Sequence, residues 1–471
     1  MPESGHRIRN LTSNTIVVES YEIHERLNQT HQSNSIHRIA KNVTSAFLEP
    51  KDPNLQCKVR KSVSKQLDPW TLQHVEIAPA RLPDEILCIF FSIEGHRYQS
   101  NILHNRCHSQ YLMSSDGATY PTHKHITLYH PDHHHLTIAF RESYRSWMRP
   151  LRDDAPLSAL SIPGTHNSPT YHNALPSVRC QSVSIREQLR RGVRFLDVRV
   201  QAQHHGLPLK DGLLLVHSVF PICLTGSRYF RPFVDEVLAF LQENPSETVI
   251  MSVKREGTGS SKDEHLSQIL RQFYANDDVV WFTAPRVPYL GEVRGKIVLV
   301  RRFSLHESLR SEWGGSGWGI DASSWADNSP DSICPSGDLH IQDFYQVLET
   351  QNITEKIQYA TEHLKRAAVG QALIDTTPVV PKTPFFINFL TASNFWKVGC
   401  WPDRIAEKIN PAIVKYLCLE HHISAGEAIQ EGSGSTGIVV CDWVGNRGNW
   451  DLVRSIIGMN AILETKNSPL L

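Results

Sequence analysis

LSALSIPGTHNS, residues Leu157 to Ser168, joins a short apolar run to a Pro-Gly pair and a histidine. Alternation sets Ser158, Leu160 and Ile162 on one side and Leu157, Ala159 and Ser161 on the other. That pattern predicts a strand, which Pro163-Gly164 would stop by turning the backbone. His166 then stands just past the strand's end, on a stiff support. Histidine exchanges a proton near neutral pH more readily than any other side chain, so one presented this way is a candidate general base or acid. A lone histidine after a strand is also a common turn residue, so its neighbours in the sequence decide between the two readings.

Those neighbours share one design. RRGVRFLDVRV (Arg190 to Val200), LLLVHS (Leu213 to Ser218), VIMSVKRE (Val249 to Glu256), GKIVLVRRF (Gly295 to Phe303) and GIVVCDWVG (Gly437 to Gly445) are apolar runs ending in charged or titratable residues. Between them lie helical patterns. SIREQLRRG places Ser184 and Glu187 at capping-box spacing, with Gly192 where a helix would end. PFVDEVLAFLQENP carries Phe233, Val237, Phe240 and Leu241 on one face. FFINFL with the helical region Asp403 to Leu419, and GIVVCDWV with Trp450 to Leu463, continue the alternation. Six or more such units predict an α/β fold, an irregular TIM (β/α) barrel over residues 146–471. A doubly wound sheet is the runner-up, but a Gly-rich phosphate loop does not follow the first strand.

Residues 1–145 differ in style. IVVES (Ile16 to Ser20), ILCIFFSI (Ile86 to Ile93), HITLYH (His125 to His130) and LTIAF (Leu136 to Phe140) are β-rich runs parted by polar segments. They predict a small all-β, sandwich-like N-terminal domain of unassigned role. Gln29 to Asn54 reads as a mobile loop, and the HPDHHH cluster His130 to His135 as a polar loop.

The chain is long enough for a sizeable core, at 471 residues and 40% hydrophobic. Lys+Arg and Asp+Glu balance at 48 each, so no global field selects nucleic acid, and an anion site must be local. Nine cysteines without a CxxC pair argue against structural zinc and a dense disulfide framework. No apolar leader and no run of about 18 apolar residues is evident. The expectation is a cytoplasmic protein without a transmembrane segment, with the sequons at Asn10, Asn28, Asn42 and Asn352 arising by chance.

In a barrel the functional groups gather at the strands' C-terminal ends. Here those ends carry His166 and Asn167, Asp197 and Arg199, His217, Lys254, Arg302 and Asp442. Two histidines, cations and a carboxylate suit attack on a phosphodiester. One imidazole takes a proton, the other returns one, and arginine stabilises the charge on the phosphoryl oxygens. Individually the residues have plainer readings: Asp197 and Arg199 as an ion pair, Lys254-Arg255-Glu256 as a solvated strand end, His217 as a core histidine.

Taken together, residues 150–463 resemble the X-domain of phosphatidylinositol-specific phospholipase C, more closely the bacterial type than the animal one. IPGTHNS is similar to that family's first histidine motif, GVRFLDVR to its second strand and LLLVHS to its second histidine. MSVKRE is similar to its lysine motif, GKIVLVRRF to its arginine motif and IVVCDWV to its final aspartate. IQDFYQV (Ile341 to Val347) and INFLTAS (Ile387 to Ser393) extend the match.

The resemblance implies a catalytic set of His166, His217, Arg199, Asp442 and Asn167. His166 would be general base on the inositol 2-hydroxyl, oriented by Asp442, and His217 general acid on the diacylglycerol oxygen. Lys254, Arg302, Asp343, Tyr345 and Asp197 would hold the headgroup. An inositol phospholipid at a membrane surface would be the partner, met by peripheral contact. Animal members bind calcium through Glu-x-Asp and a further glutamate; here Phe195-Leu196-Asp197 and Lys254 stand in those places, so no metal and no cofactor is expected. Asn167 replaces the aspartate of bacterial members, and Ser218 replaces a glycine. The competing readings are a metal-dependent phosphodiesterase of the glycerophosphodiester or sphingomyelinase D kind, and a lipid-binding scaffold with an impaired site.

Overall fold

The computed structural model describes residues 5–12, 14–26, 55–69, 71–103, 107–115, 125–140, 143–204, 206, 208–370, 383–421 and 434–463. The chain divides into two compact units, Met1–Ser143 and Tyr144–Leu471. The Gln29 to Asn54 segment and the sequons Asn28 and Asn42 lie outside the described residues.

In the first unit β1 (His6–Leu11), β4 (Leu72–Val75), β7 (His108–Tyr111), β9 (His125–His130) and β10 (His135–Phe140) form one sheet, in the order β4-β1-β10-β9-β7. The strands β2 (Ile16–Arg26), β3 (Leu55–Leu67), β5 (Glu85–Ile93), β6 (His96–Leu103) and β8 (Met113–Ser114) form the other, in the order β3-β2-β5-β6-β8. Alternation explains the packing. Leu87, Ile89, Phe91 and Ile93 recur every second residue on β5 and share a core with Ile8, Leu136 and Ile138 of the other sheet. The histidine-rich stretch is the turn between β9 and β10, tightened into one 3-10 turn at Asp132–His134. Asn10 is buried, its amide donating to the Leu67 and Asp68 carbonyls, which leaves a glycan no room there.

The second unit is built on a parallel sheet. Its strands are β11 (Ile162–Thr165), β12 (Phe195–Ala202), β15 (Val249–Arg255), β17 (Ile297–Arg302), β20 (Leu339–Gln342), β21 (Phe385–Phe389) and β22 (Ile438–Cys441). From β11 the sheet runs one way through β12, β15 and β17, and the other way through β22, β21 and β20. First and last strands are therefore neighbours, which is barrel order and not doubly wound order. The short β16 (Trp281–Phe282) and β18 (Ile320–Asp321) flank β17, and β19 (Ser332–Ile333) flanks β20. Among the described residues no ladder joins β18 to β19, so the sheet curls without closing.

Two expectations are corrected here. Leu157–Ala159 form a 3-10 turn, and the strand is Ile162–Thr165, running through Pro163-Gly164 instead of ending there. Proline keeps its carbonyl, and that group accepts the Arg194 amide at 2.9 Å. Gly164 packs on Phe195, where an added Cβ would come within 2.9 Å of the ring. The second correction concerns Leu213–His217, read from sequence as a parallel strand of a βα unit. It is β13, antiparallel to β12, with Val200 opposite Leu215 and Ala202 opposite Leu213. The eight residues of β12 are long enough to carry it above the other strands, and β13 folds back on that overhang, continued by β14 (Phe220–Pro221).

Helices cover the outside. Ser184 caps the helix Ile185–Arg190 by accepting the Glu187 amide, and Gly192 follows with φ +110°. The helix Phe230–Glu243 buries Phe233, Val237, Phe240 and Leu241 against Leu196, Val198 and Val200 of β12 and Met251 and Val253 of β15. Each such side chain contributes about 1.5–3 kcal/mol. Period-two alternation then turns Asp197, Arg199, Lys254 and Arg302 to the sheet's inner side. At the opposite ends of the strands Arg194 and Glu247, both fully buried, pair at 2.8 Å. Removing either partner would strand a buried charge at about 3–5 kcal/mol.

Candidate active site

Register brings the cations together. Arg199 lies opposite Lys254, and Lys254 opposite Arg302, so the three stand on one rung across β12, β15 and β17. The C-terminal ends of β11 and β22 place His166 beside Asp442, because Thr165 pairs with Cys441 one residue earlier. His217 comes from the overhanging hairpin. All but Asp442 line one open cavity of about 750 Å³, with Glu256, Trp325, Asp327, Asp343 and Tyr345 on its walls.

The two imidazoles stand edge to face, ring centres 5.6 Å apart at 87°. His166 Nδ1 is 2.9 Å from Asp442 Oδ1. A carboxylate there holds the proton on Nδ1 and leaves the Nε2 lone pair toward the cavity. Burial, then Arg199 and His217, hold His166 well below the ordinary imidazole range, while burial pushes the Asp442 carboxyl well above its own. Both shifts favour the uncharged imidazole, and burial makes the Asp442 carboxylate the more basic partner for its Nδ1 proton. His217 Nδ1 donates to the Val178 carbonyl at 2.7 Å, which turns Nε2 outward. Burial and Arg199 lower His217 to about 4.

Arg199 is gripped from two sides, by Asp197 Oδ2 at 3.3 Å and Glu256 Oε1 at 3.1 Å. Burial opposes charge on Asp197, but Arg199, Arg302 and the Asn167 amide outweigh it and hold the carboxylate ionised. Glu256 joins Arg199 to Lys254, whose Nζ is 3.0 Å away, and accepts the Ser218 amide at 2.7 Å. Those partners overcome burial and bring Glu256 to about 2. Lys254 and Glu256 are thus part of the cavity wall, while Arg255 between them pairs with Asp263 away from it. Asp197 and Arg199 are an ion pair: Arg199 lines the cavity, whereas Asp197, expected to touch the headgroup, is fully buried and supports Arg199 and Arg302 from behind.

Asn167 takes a different position from its neighbours. It is fully buried with φ +36°, its amide donates to Asp197 Oδ2 at 3.0 Å, and its side chain donates to the Val216 carbonyl at 3.3 Å. It ties the Asp197 strand to the His217 hairpin and does not line the cavity. Ser218 adopts φ +54°, a conformation glycine holds without strain.

The opposite wall is polar and aromatic. Arg302 packs its guanidinium 3.7 Å over Trp325, whose Nε1 donates to Asp343 at 3.1 Å. Tyr345 donates its hydroxyl to Asp327 at 2.9 Å. Beneath them Lys356, fully buried on the helix Asn352–Gly370, donates to Gln342 Oε1 at 2.9 Å and the Phe344 carbonyl at 2.6 Å. Lys356 fixes the segment bearing Asp343 and Tyr345. Glu256, Trp325, Asp327 and Lys356 escaped sequence reading. Glu256 had a signal, since it lies two residues beyond Lys254 on the same side. Trp325 and Asp327 sit in SSWADNS, which has no periodicity, and a lysine on an amphipathic helix gives no sign of burial.

The profile of the family described as "Phosphatidylinositol-specific phospholipase C, X domain" matches residues 153–303. The chain is 27% identical over 346 residues to the 1-phosphatidylinositol phosphodiesterase of Staphylococcus aureus (strain Newman), covering 69% of this chain and 97% of that protein. It is 33% identical over 168 residues to the 1-phosphatidylinositol phosphodiesterase of Listeria monocytogenes, covering 33% and 48%. A solved structure of a double mutant of the S. aureus phosphatidylinositol-specific phospholipase C superposes with a TM-score of 0.52 at 25% identity, covering 68% of this chain and 97% of that one. By its ordered motifs, its sheet and these relatives, residues 153–303 of this chain carry the X domain of the phosphatidylinositol-specific phospholipase C family.

Proposed function

We propose that the unit Tyr144–Leu471 is an irregular (β/α) barrel phosphodiesterase that cleaves phosphatidylinositol, or a related inositol or glycosyl-inositol phospholipid. The products are diacylglycerol and inositol 1,2-cyclic phosphate. One observation carries this reading: two imidazoles, one backed by Asp442, face the cationic rung Arg199, Lys254 and Arg302 across one cavity. The inositol 2-hydroxyl attacks phosphorus while His166 Nε2 takes its proton. The phosphorus–oxygen bond to diacylglycerol breaks as His217 protonates the departing oxygen. Arg199 stabilises the charge on the non-bridging oxygens. Lys254, Arg302, Asp343 and Tyr345 hold the inositol hydroxyls, and Asp197 holds Arg199. An intramolecular nucleophile removes much of the positioning cost.

His217 is neutral in the empty site at pH 7, yet the reaction needs its proton. The substrate supplies the remedy, because a phosphodiester anion beside the ring raises its pKa from about 4. Binding of a non-reactive phosphodiester analogue at pH 7 should therefore take up as much as one proton. Calorimetry in buffers of different ionisation enthalpy measures it, and His217→Ala should abolish it.

The reaction runs without a metal. Asp197 and Glu256, the carboxylates that hold Arg199, are already neutralised by Arg199, Arg302 and Lys254. Turnover of phosphatidylinositol in mixed micelles should be unchanged by excess chelator. Activity lost with the chelator and restored by a divalent cation would instead favour the metal-dependent phosphodiesterase class.

Peripheral membrane contact belongs to the same proposal. Phe220 stacks on Phe395 at the cavity edge, ring centres 5.3 Å apart, and Trp396 beside them is 89% exposed. Val219 and Val398 are also exposed nearby in sequence. Aromatic side chains of this kind partition into the interface of a bilayer. Among the described residues no helix is long and apolar enough to cross a membrane. The two-sheet unit Met1–Ser143 is proposed as an accessory β-sandwich domain.

A further inference from the structure

Cys180 belongs to none of the catalytic roles above, yet it lies directly behind one of the two histidines. It is fully buried, and its Sγ is 3.7 Å from His217 Nδ1. The donor atoms of His166, Cys180 and His217 all lie within 4.8 Å of one another. Two imidazoles and a thiolate are the ligand set zinc prefers, and three protein ligands with one open position make a site that a solvent molecule completes. Ideal tetrahedral zinc holds a sulfur and a nitrogen ligand about 3.6 Å apart, and two nitrogens about 3.3 Å apart. The Cys180–His217 separation already matches, and the His166 donor has to close on the other two from within 4.8 Å. Asp442 supplies the outer partner that metal-bound histidines usually have, since it already accepts from His166 Nδ1. His166 and His217 line the cavity, which supplies the fourth ligand.

We propose that His166, Cys180 and His217 form an inhibitory site for a thiophilic divalent cation, zinc being the best fit. Zinc binds the Cys180 sulfur, His217 Nδ1 and His166 Nε2, with water in the fourth position. The Cys180 thiol proton leaves to solvent. The Nδ1 proton of neutral His217 moves to Nε2, and its bond to the Val178 carbonyl is lost. Bound metal occupies the lone pair that His166 would use as base and reorients the ring that would serve as acid. Catalysis then stops while the fold stays intact. The inhibition, though not the metal binding, rests on the function proposed above. Arg199 repels the incoming cation, but Asp197 and Glu256 neutralise it on both sides.

Metal binding is tested apart from activity. Metal-stripped full-length protein titrated with cobalt(II) should develop the near-ultraviolet thiolate-to-cobalt band and the visible bands of a tetrahedral complex, at one equivalent. Zinc should erase both. Cys180→Ser and Cys180→Ala should lose the thiolate band and bind zinc at least about tenfold more weakly by calorimetry. With phosphatidylinositol as substrate, zinc should inhibit the parent reversibly with chelator, while Cys180→Ser keeps its metal-free turnover and resists zinc at least about tenfold better. No thiolate band in the parent, or equal zinc affinity in parent and both folded variants, overturns the site. A thiolate band in a protein with no turnover leaves the metal site standing and removes the proposed catalytic function.

Discussion

His166→Ala is expected to lower kcat toward phosphatidylinositol on the order of ten-thousandfold, the upper end of what a positioned base contributes. His166 has no substitute within the cavity, because His217 is committed through Nδ1 to the Val178 carbonyl. Asp442→Asn should come close to the same loss although the histidine remains. An amide in that position presents its donor to Nδ1 and drives the ring proton onto Nε2, where the base must be unprotonated. Because Asp442 does not line the cavity, KM should stay within a few-fold of the parent. Steady-state kinetics on mixed micelles measures both variants. An Asp442→Asn enzyme within tenfold of the parent would show that His166 does not depend on its tautomer.

The second large effect is expected at Arg199. Arg199→Lys should cost about a hundred- to a thousandfold in kcat while keeping the positive charge, because one ammonium cannot hold Asp197 and Glu256 and still present a donor to phosphate. The fork geometry is visible, with Nη2 toward Asp197 and Nη1 toward Glu256. Arg199→Ala should lose as much activity and also stability, since the fully buried Asp197 is left with Arg302, at 3.4 Å, as its closest cation. Denaturant midpoints separate the two effects: Arg199→Lys should unfold near the parent and Arg199→Ala clearly earlier. A Lys variant with parental kcat would mean that Arg199 is a structural ion pair.

What the sequence disclosed followed from periodicity. Asp197 and Arg199 announced an inner face because Leu196, Val198 and Val200 between them are apolar, and the same parity holds for Lys254 beside Val253 and for Arg302 in its strand. The capping of Ile185–Arg190 was legible from Ser184 and Glu187, which are local in sequence. Pairing direction was not. Leu213–His217 has the composition of a buried parallel strand, and only the overhang of β12 makes it the returning arm of a hairpin. The Pro163-Gly164 pair misled for a related reason: proline ends a strand only where its amide is needed, and here the ladder uses its carbonyl.

Chemistry contributed by irregular segments was also hidden. Val178 orients His217 through a backbone carbonyl, a group every residue possesses, so no residue type marks the position. Cys180 sits two residues on and gained meaning only from its distance to that ring. Lys356 reads as an ordinary helix-surface cation, but burial brings it to about 7 and it donates to Gln342 and Phe344, beside Asp343 and Tyr345. In each case the missing information was a long-range distance.

The most direct test of the central claim is phosphorus NMR of the reaction on phosphatidylinositol micelles in excess chelator, with His166→Ala and His217→Ala in parallel. The resonance of inositol 1,2-cyclic phosphate should appear as substrate is consumed by the parent and be lost from both variants. Formation of inositol 1-phosphate without a cyclic intermediate, or a requirement for metal, would contradict intramolecular attack assisted by His166 and His217.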